Sequence, residues 1–150
     1  MSHPLSVVII TKNEESNIED AVKSAQFADE VLVLDSNSED KTCQIARQLG
    51  AKVEIHDWTG FGPQKNLGIR LARNDWVFVL DADERITHDL KSEINTVLEN
   101  PSSNGYFVAR LNRFFGKNIK SCGLFPDFSL RLFDRTKGKF NNVQVHESVK

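Results

Sequence analysis

Short apolar runs alternate along the chain with segments whose apolar residues recur at helical spacing. Runs rich in β-branched residues occupy positions 5–10, 31–34 and 76–80, and a weaker run occupies 51–55. A short continuous apolar run is typical of a strand that is buried on both faces of a sheet. The first 100 residues therefore predict four strands that belong to one mostly parallel sheet.

Helical periodicity predicts four helices between and after these strands. The first helix has an apolar face made of Ile18, Ala21, Val22 and Ala25. We expect Ser38 to cap the second helix and Gly50 to close it. The third is expected over residues 64–73, and the fourth should begin after Thr87 and end before Pro101. Helices on both faces of a parallel sheet define the α/β class.

The pattern changes after residue 100. Residues 106–111 and 128–133 have the character of strands with no helix between them, and residues 112–127 show no clear period. We therefore expect a C-terminal antiparallel appendage on the α/β core. The whole chain of 150 residues has the length of a single domain with its own core.

Polar residues follow three of the predicted strands at the point where each strand ends. These are Thr11, Asn13 and Glu14 after the first strand, Asp35 after the second, and Asp81 and Asp83 after the fourth. Ligands of open parallel sheets bind outside the carboxyl ends of the strands. Because crossover connections share one hand, we expect all three groups at one edge of the sheet.

The Asp81-Ala82-Asp83 turn is the chemical centre of this arrangement. Alternate carboxylates just past a strand provide the oxygen ligands that Mg²⁺ or Mn²⁺ prefers. Such an ion would neutralise a diphosphate leaving group. The alternative is that the two acids only solvate a loop or favour the following helix N-terminus. The apolar strand before them and the two other strand ends favour a metal site.

Asp35 and Lys65 are weaker candidates for nucleotide binding. A carboxylate at Asp35 can accept hydrogen bonds from a base or a ribose, although Asp-Ser-Asn-Ser is also a good turn. Lys65 could reach a phosphate, although a surface lysine is the commoner case. The chain has neither the glycine-rich turn of dinucleotide-binding folds after strand one nor a P-loop.

Charge is unevenly distributed along the chain. Residues 1–109 carry 10 Lys/Arg and 18 Asp/Glu, whereas residues 110–139 carry 8 Lys/Arg and 2 Asp/Glu. The second segment, which we call the basic segment, also contains several phenylalanines. Cations interleaved with aromatic residues suit an anionic membrane surface or a lipid-linked, phosphorylated acceptor. The alternative is a solvated loop region with part of the phenylalanines in the core.

Other features of the sequence predict a cytoplasmic protein. No apolar run approaches the length of a membrane span, and the first residues lack the pattern of a signal peptide. Cys43 and Cys122 belong to no CxxC pair, so we expect reduced thiols rather than a disulfide or zinc site. Peripheral association with the inner face of the cell membrane is compatible with the basic segment.

Taken in order, these motifs resemble those of family 2 glycosyltransferases with the GT-A fold, in particular the lipopolysaccharide core glucosyltransferase branch. The matching stretches are 6–14, 35–42, 65–66, 76–84, 131–133 and 145–147. The resemblance spans almost the whole chain. It implies a Rossmann-like sheet, with residues 1–100 as the nucleotide-sugar half and residues 101–150 as the acceptor side. Members of this family usually continue beyond the position of Lys150.

The resemblance also implies roles for individual residues. Thr11 and Glu14 would line the nucleotide pocket, beside Asn13. Asp35 would bind the base, usually uracil, and Lys65 would lie near the base and the diphosphate. Asp81 would contact the ribose or the metal ion, and Asp83 would hold the metal ion. The turn after Asp35 has Asn37 where the family usually has glycine, and asparagine tolerates the left-handed conformation.

The function expected from this resemblance is inverting, metal-dependent transfer of a sugar, with glucose favoured, from a UDP-sugar to a glycan or glycolipid such as lipopolysaccharide core. Two alternatives remain open from the sequence. One is a nucleotide-sugar-binding module without turnover, and the other is a sugar nucleotidyltransferase. Nucleic acid is not an expected partner, because no RNA-binding motif organises the aromatic residues.

An inverting transfer needs a general base outside the metal site. We rank Asp127 first, because it lies beside the aperiodic segment where an acceptor could enter, and Glu147 second. His146 is a candidate further metal ligand. The alternative is that Asp127 caps a turn and that 146–147 is an exposed strand end.

Overall fold

The computed structural model describes residues 2–114, 117–118 and 127–140. In chain order its elements are β1 (Leu5–Thr11), α1 (Ile18–Ala25), β2 (Glu30–Asp35), α2 (Thr42–Gln48), β3 (Lys52–Ile55), α3 (Phe61–Leu71), β4 (Trp76–Asp81), α4 (His88–Glu99), β5 (Gly105–Arg110), β6 (Arg113–Phe114), β7 (Lys117–Asn118) and β8 (Asp127–Asp134). The alternation of strands and helices predicted for the first 100 residues is confirmed.

One mixed sheet organises the described part of the chain. Its strand order is β3-β2-β1-β4-β8-β5, and β6 pairs with β7 in a separate ribbon. Strands β1 to β4 run parallel, whereas β8 pairs antiparallel with both β4 and β5. The antiparallel region that the sequence predicts is therefore continuous with the main sheet, and β8 lies directly beside the strand that ends at Asp81.

The central strands are buried on both faces because helices cover each side of the sheet. Every residue of β1 is buried. Residues from α1, α2 and α4 pack with one face of the sheet, including Ile18, Ala46 and Leu98. The other face packs against α3 through Ile69 and against Phe140. This arrangement explains why the central strands appear as continuous apolar runs in the sequence.

Helix α3 approaches the sheet closely because residue 68 is glycine. A Cβ atom at Gly68 would lie 2.5 Å from Cγ1 of Val8 on β1. That distance is shorter than real carbon contacts, so a side chain here would push the helix away from the sheet. Residue 68 lies one turn after Lys65, and the same close packing therefore holds Lys65 near the end of the sheet.

Two predictions about helix boundaries are wrong in informative ways. Ser38 does not cap α2, which begins at Thr42 after Lys41. Ser38 instead donates hydrogen bonds to Asp35 from its backbone N–H and its hydroxyl. Helix α3 begins at Phe61 rather than at residue 64, because Pro63 is accepted in the first turn of a helix. The expected cap at Thr87 is confirmed, since its side chain accepts from the Leu90 N–H.

Candidate active site

The strand order brings three polar strand ends together, as the sequence predicts. Thr11 at the end of β1 is in register with Asp35 at the end of β2. On the other side of β1, Ile10 is in register with Asp81 at the end of β4. The parallel order β2-β1-β4 therefore places the three groups side by side at the carboxyl edge of the sheet, where ligands of such sheets bind.

A cleft of about 530 Å³ opens at this edge. Its lining residues are Ile10, Thr11, Lys12, Glu14, Trp58, Phe61, Asp81, Ala82 and Asp83. Four residues predicted for the site, namely Thr11, Glu14, Asp81 and Asp83, thus face one cavity. Its volume lies within the range of cavities that bind small molecules and cofactors.

Two cations hold the carboxylate of Asp81. Lys65 Nζ lies 3.1 Å from Asp81 Oδ1, and the guanidinium of Arg131 lies 3.4 Å from Oδ2. Both cations are almost fully buried, whereas the Asp81 side chain is 30 % exposed. Burial alone would raise the pKa of Asp81, but the charges of Lys65 and Arg131 outweigh it and lower that pKa from the usual 3.8. Asp81 is therefore ionised and already neutralised within the protein.

Glu84 and Arg131 complete this cluster, and neither is among the site residues predicted from the sequence. Glu84 accepts the backbone N–H of Asp81 at 3.0 Å and the guanidinium of Arg131 at 2.7 Å. Arg131 also donates to the Val79 carbonyl at 3.1 Å. Burial raises the pKa of Glu84, with repulsion from Asp81 adding to the effect and Arg131 opposing it. Together these bonds fix the turn that presents Asp83.

The signal for Arg131 is present in the sequence. It is a cation inside the apolar strand β8, between Leu130 and Leu132, and such a residue is rarely buried without a partner. What the sequence lacks is the register that places β8 against β4. Once that pairing is known, the carboxylates at the end of β4 are the natural partners.

Asp83 differs from Asp81 in its surroundings. It is exposed in the cleft and makes no ion pair with any residue of the described part of the chain. Residues 2–114, 117–118 and 127–140 contain no cluster of three or more His, Cys, Asp or Glu side chains that could hold a metal ion. An ion held by Asp83 would need ligands in addition to the described side chains, and substrate phosphates commonly complete the coordination of Mg²⁺.

The buried hydroxyl of Thr11 has an unused hydrogen-bonding capacity. Thr11 is almost fully buried, and its Oγ1 has no hydrogen-bond partner among the described residues. Buried polar atoms are rarely left unpaired. Because Thr11 also lines the cleft, this hydroxyl is suited to pair with a bound ligand.

The loops after β1 and β2 are joined by hydrogen bonds from residues that were predicted to bind nucleotide. The Asn13 N–H donates to the Ser38 hydroxyl at 2.7 Å, and the Asn13 side chain accepts the Glu39 N–H. The Glu14 N–H donates to the Thr42 hydroxyl at 2.8 Å. These bonds hold the two loops in one arrangement beside the cleft.

Asp35 is fully buried behind these loops. Its two carboxylate oxygens accept the N–H and the hydroxyl of Ser38, at 2.7 and 2.5 Å. The turn role considered for Asp35 is thus present in the structure. Asn37, two residues later, adopts a φ of 58°, which is the left-handed conformation that asparagine tolerates.

Of the two candidate bases, Asp127 and Glu147, only Asp127 lies among the described residues. Asp127 begins β8 and accepts a hydrogen bond from Arg110 Nε at 3.0 Å, so it is engaged in an exposed ion pair. An acceptor hydroxyl would have to share this carboxylate with Arg110. Glu147 and the candidate metal ligand His146 lie outside the described residues. The assignment of base and further ligand therefore stays a prediction.

Several cations of the basic segment serve the fold itself. Arg110 pairs with Asp127, and Arg131 is buried against Asp81 and Glu84. Arg135 donates to the carbonyl groups of Ile69 and Ala72 at the end of α3. Among the residues described from this segment, Arg110, Arg113, Lys137 and Lys139 are exposed, and Arg110 is held in its ion pair. Only part of its positive charge is thus available to an external partner.

The described helices include none that is both long and apolar enough to cross a membrane.

The fold and the cleft define an α/β protein that presents strand-end carboxylates to a ligand cavity. Residues 6–146 match the family described as Glycosyl transferase family 2, and the chain therefore belongs to family 2 of the glycosyltransferases. This membership confirms the resemblance seen in the sequence.

Curated relatives support the same assignment. The chain is 34 % identical over 156 residues to a protein of Rickettsia bellii named Uncharacterized glycosyltransferase, covering 99 % of this chain and 53 % of the relative. It is 28 % identical to the lipopolysaccharide core biosynthesis glycosyltransferase LpsC of Rhizobium meliloti, over 97 % of this chain and 57 % of that protein. The chain thus spans about half the length of these relatives.

Solved structures confirm the GT-A fold. The chain is similar to the crystal structure of S. aureus TarS 1-349 in complex with UDP-GlcNAc, with a TM-score of 0.63, 21 % identity, and coverage of 79 % of this chain and 37 % of that chain. It also matches glucosyl-3-phosphoglycerate synthase from Mycobacterium tuberculosis in complex with UDP. There the TM-score is 0.57, the identity 26 %, and the coverage 68 % and 42 %.

Proposed function

We propose that this chain transfers a sugar, with glucose as the favoured donor sugar, from a UDP-sugar to a glycan or lipid-linked acceptor, with inversion at the anomeric carbon. The observation that carries the proposal is the Asp81-Ala82-Asp83 turn in a cleft lined by the ends of β1 and β4, at the edge where β2 also ends. Family membership favours this activity over the nucleotidyltransferase alternative. The similarity to LpsC supports an acceptor of the lipopolysaccharide core type.

A divalent ion fits the donor set of this cleft. Asp83 provides an exposed carboxylate, and Asp81, two residues earlier, is fixed beside it by Lys65 and Arg131. Mg²⁺ or Mn²⁺ bound there would supply positive charge to the diphosphate leaving group. Because the described protein ligands are few, we expect the ion to bind together with the nucleotide rather than before it.

The chemical step exchanges one bond at the anomeric carbon for another. The acceptor hydroxyl oxygen forms a bond to that carbon from the face opposite the diphosphate, and the bond to the diphosphate oxygen breaks. The hydroxyl proton passes to a carboxylate base, for which Asp127 and Glu147 are our candidates. UDP leaves with the electron pair of the broken bond.

Lys65 and Arg131 contribute mainly by positioning in this proposal. Both contact Asp81 from buried positions, and Lys65 Nζ also lies 5.4 Å from the centre of the Phe140 ring. Their charges keep the end of β4 electrically balanced before a donor arrives. A diphosphate entering the cleft therefore meets an ordered turn whose exposed carboxylate is Asp83.

The test is a thermal-shift screen of UDP-, GDP- and CDP-sugars with and without Mn²⁺, followed by a transfer assay. A donor at a hundred times its dissociation constant stabilises the fold by about 2.7 kcal/mol. We expect the largest shift for a UDP-sugar with Mn²⁺. Binding without transfer to any acceptor would instead identify a nucleotide-sugar-binding module. A failure of all nucleotide sugars to bind would refute the proposal.

A further inference from the structure

Two large aromatic side chains in the cleft have no role in the site described so far. Trp58 lies in the loop between β3 and α3, and Phe61 is the first residue of α3. They are 44 % and 45 % exposed, and their rings meet edge to face with centroids 4.8 Å apart. Exposed aromatic pairs in a cavity are typical of ligand surfaces, since they would otherwise gain free energy by burial.

The loop that carries this aromatic pair is held in place by hydrogen bonds. Asp57 accepts the Asn37 side-chain amide at 2.8 Å, which ties the loop to the turn after β2. The His56 N–H donates to the Asp35 carbonyl at 2.9 Å. Gly60 adopts a φ of 108°, a conformation available to glycine, and so turns the chain into α3. A surface fixed in this way binds a ligand without the cost of ordering a loop.

The aromatic pair and the carboxylates follow different strands of the sheet. Trp58 follows β3, the outermost parallel strand, whereas Asp81 and Asp83 follow β4, three strands further along. At about 4.8 Å per strand the strand ends are roughly 14 Å apart. Thr11, with its unpaired hydroxyl, lies between them at the end of β1. The cleft therefore combines an exposed aromatic pair, a hydroxyl with no partner among the described residues, and two carboxylates.

A nucleoside diphosphate has three parts that suit these three kinds of group: a flat base, a ribose and a charged diphosphate. We propose that Trp58 and Phe61 form the stacking surface for the nucleobase of the donor, and that the Thr11 hydroxyl hydrogen-bonds to the nucleoside. This inference rests on the proposed function and adds to it the residues that bind the base ring. Asp35 is fully buried and holds the turn that anchors the loop of Trp58.

Stacking and charge then make separable contributions to affinity. An aromatic side chain stacks on any base, whereas the ionic end of the cleft interacts only with phosphates and their metal ion. Removing Trp58 should weaken uridine and UDP by a similar factor. Removing the charge of Asp83 should weaken UDP with Mn²⁺ and leave uridine unchanged.

The experiment uses titration calorimetry of the 150-residue chain with uridine and with UDP plus Mn²⁺. For Trp58→Ala we expect a loss of about 5- to 100-fold in affinity for both ligands. Phe107→Ala is the matched control, because Phe107 is also exposed but lies on β5, outside the lining of the cleft. Its affinities should equal those of the parent chain.

Tryptophan fluorescence provides a second measurement on the same samples. The chain has two tryptophans, and Trp76 is buried in the sheet at 7 % exposure. Quenching by uridine should therefore disappear in Trp58→Phe, while this variant keeps most of the affinity because a ring remains.

The outcomes separate this inference from the proposed function. If the parent chain binds UDP and Trp58→Ala binds it equally well, the stacking surface is refuted and the proposed function stands. If Trp58→Ala raises only the KM for the acceptor, the pair belongs to the acceptor side and the inference is again refuted. If the parent chain binds no nucleotide or nucleotide sugar, both proposals fail.

Discussion

The same substitution at the two aspartates of the DxD turn should affect different properties, namely stability at Asp81 and metal-dependent nucleotide binding at Asp83. Asp81→Asn removes a charge that faces two buried cations, at 3.1 and 3.4 Å, whereas Asp83→Asn removes an exposed charge. We therefore expect Asp81→Asn to lower the free energy of unfolding. Any change in donor binding by this variant should result from distortion of the turn. Asp83→Asn should preserve stability and abolish the Mn²⁺-dependent part of UDP binding.

The magnitude follows from the surroundings of Asp81. Breaking a fully buried ion pair by removing one partner costs about 3–5 kcal/mol. Asp81 retains 30 % exposure, and Arg131 keeps its contact with Glu84, so we expect about 2–3 kcal/mol. For a chain of this size that loss lowers Tm by about 5–10 °C. Asp83→Asn should change the free energy of unfolding by less than about 0.5 kcal/mol.

The assay is urea unfolding followed by circular dichroism, with titration calorimetry of UDP and Mn²⁺ on the same variants. The pKa of Asp81 lies below its usual 3.8 in the folded chain, because Lys65 and Arg131 outweigh the effect of burial. Its stabilising contribution is therefore present at neutral pH and is lost as the pH falls through that lowered pKa. The stability difference between parent and Asp81→Asn should narrow in the same acidic range.

Equal stability of parent and Asp81→Asn at pH 7 would refute this reasoning. It would mean that the interaction of Asp81 with the two cations does not contribute to the free energy of unfolding. A loss in Asp83→Asn as large as that in Asp81→Asn would refute it as well. Unchanged UDP and Mn²⁺ affinity in Asp83→Asn would separately exclude that residue as the metal ligand.

Three further predictions concern the nucleotide, the base and the location of the protein. Asp35→Ala should weaken UDP and uridine alike, and uridine titration that matches the parent would leave Asp35 with only its turn role. Of Asp127→Asn and Glu147→Gln, the variant that lacks the true base should lose turnover by about two to four orders of magnitude while UDP-sugar affinity persists; parent rates in both would place the base elsewhere. Because of the basic segment, the chain should co-sediment with anionic liposomes, and this binding should weaken as the salt concentration rises. Co-sedimentation that does not depend on the anionic lipid content would exclude peripheral association.

The parallel part of the fold could be predicted because its signals are local. The continuous apolar runs of β1, β2 and β4 result from burial on both faces of the sheet, and no pairing partner needs to be known to recognise them. The position of β8 could not be predicted in this way. Its antiparallel pairing with β4 depends on contacts between residues more than fifty positions apart, such as Phe78 with Leu132.

The candidate site likewise has a part that local sequence signals predict and a part that depends on long-range pairing. The common handedness of the crossover connections was sufficient to predict that Thr11, Asp35 and Asp81 lie at one edge of the sheet. The partners of Asp81 were not predictable, because Lys65 comes from the helix before β4 and Arg131 from a strand placed by long-range pairing. The misassigned cap at Ser38 has a related cause: a serine after a strand can cap a helix or bond to the strand-end carboxylate, and Asp35 was the nearer partner.

These contacts imply that strand-end residues of this site act on the ligand and on each other at the same time. Asn13 bonds to Ser38 in the loop after β2, Glu14 bonds to Thr42 at the start of α2, and Asp35 accepts from Ser38. A substitution at any of them therefore alters the shape of the cleft as well as its chemistry. Lost donor binding alone would not identify a ligand contact at these positions. To distinguish the two roles, stability and affinity must be measured on the same variant. Substitution of a residue that only binds ligand, as we propose for Asp83 and Trp58, weakens binding while the free energy of unfolding stays at the parent value.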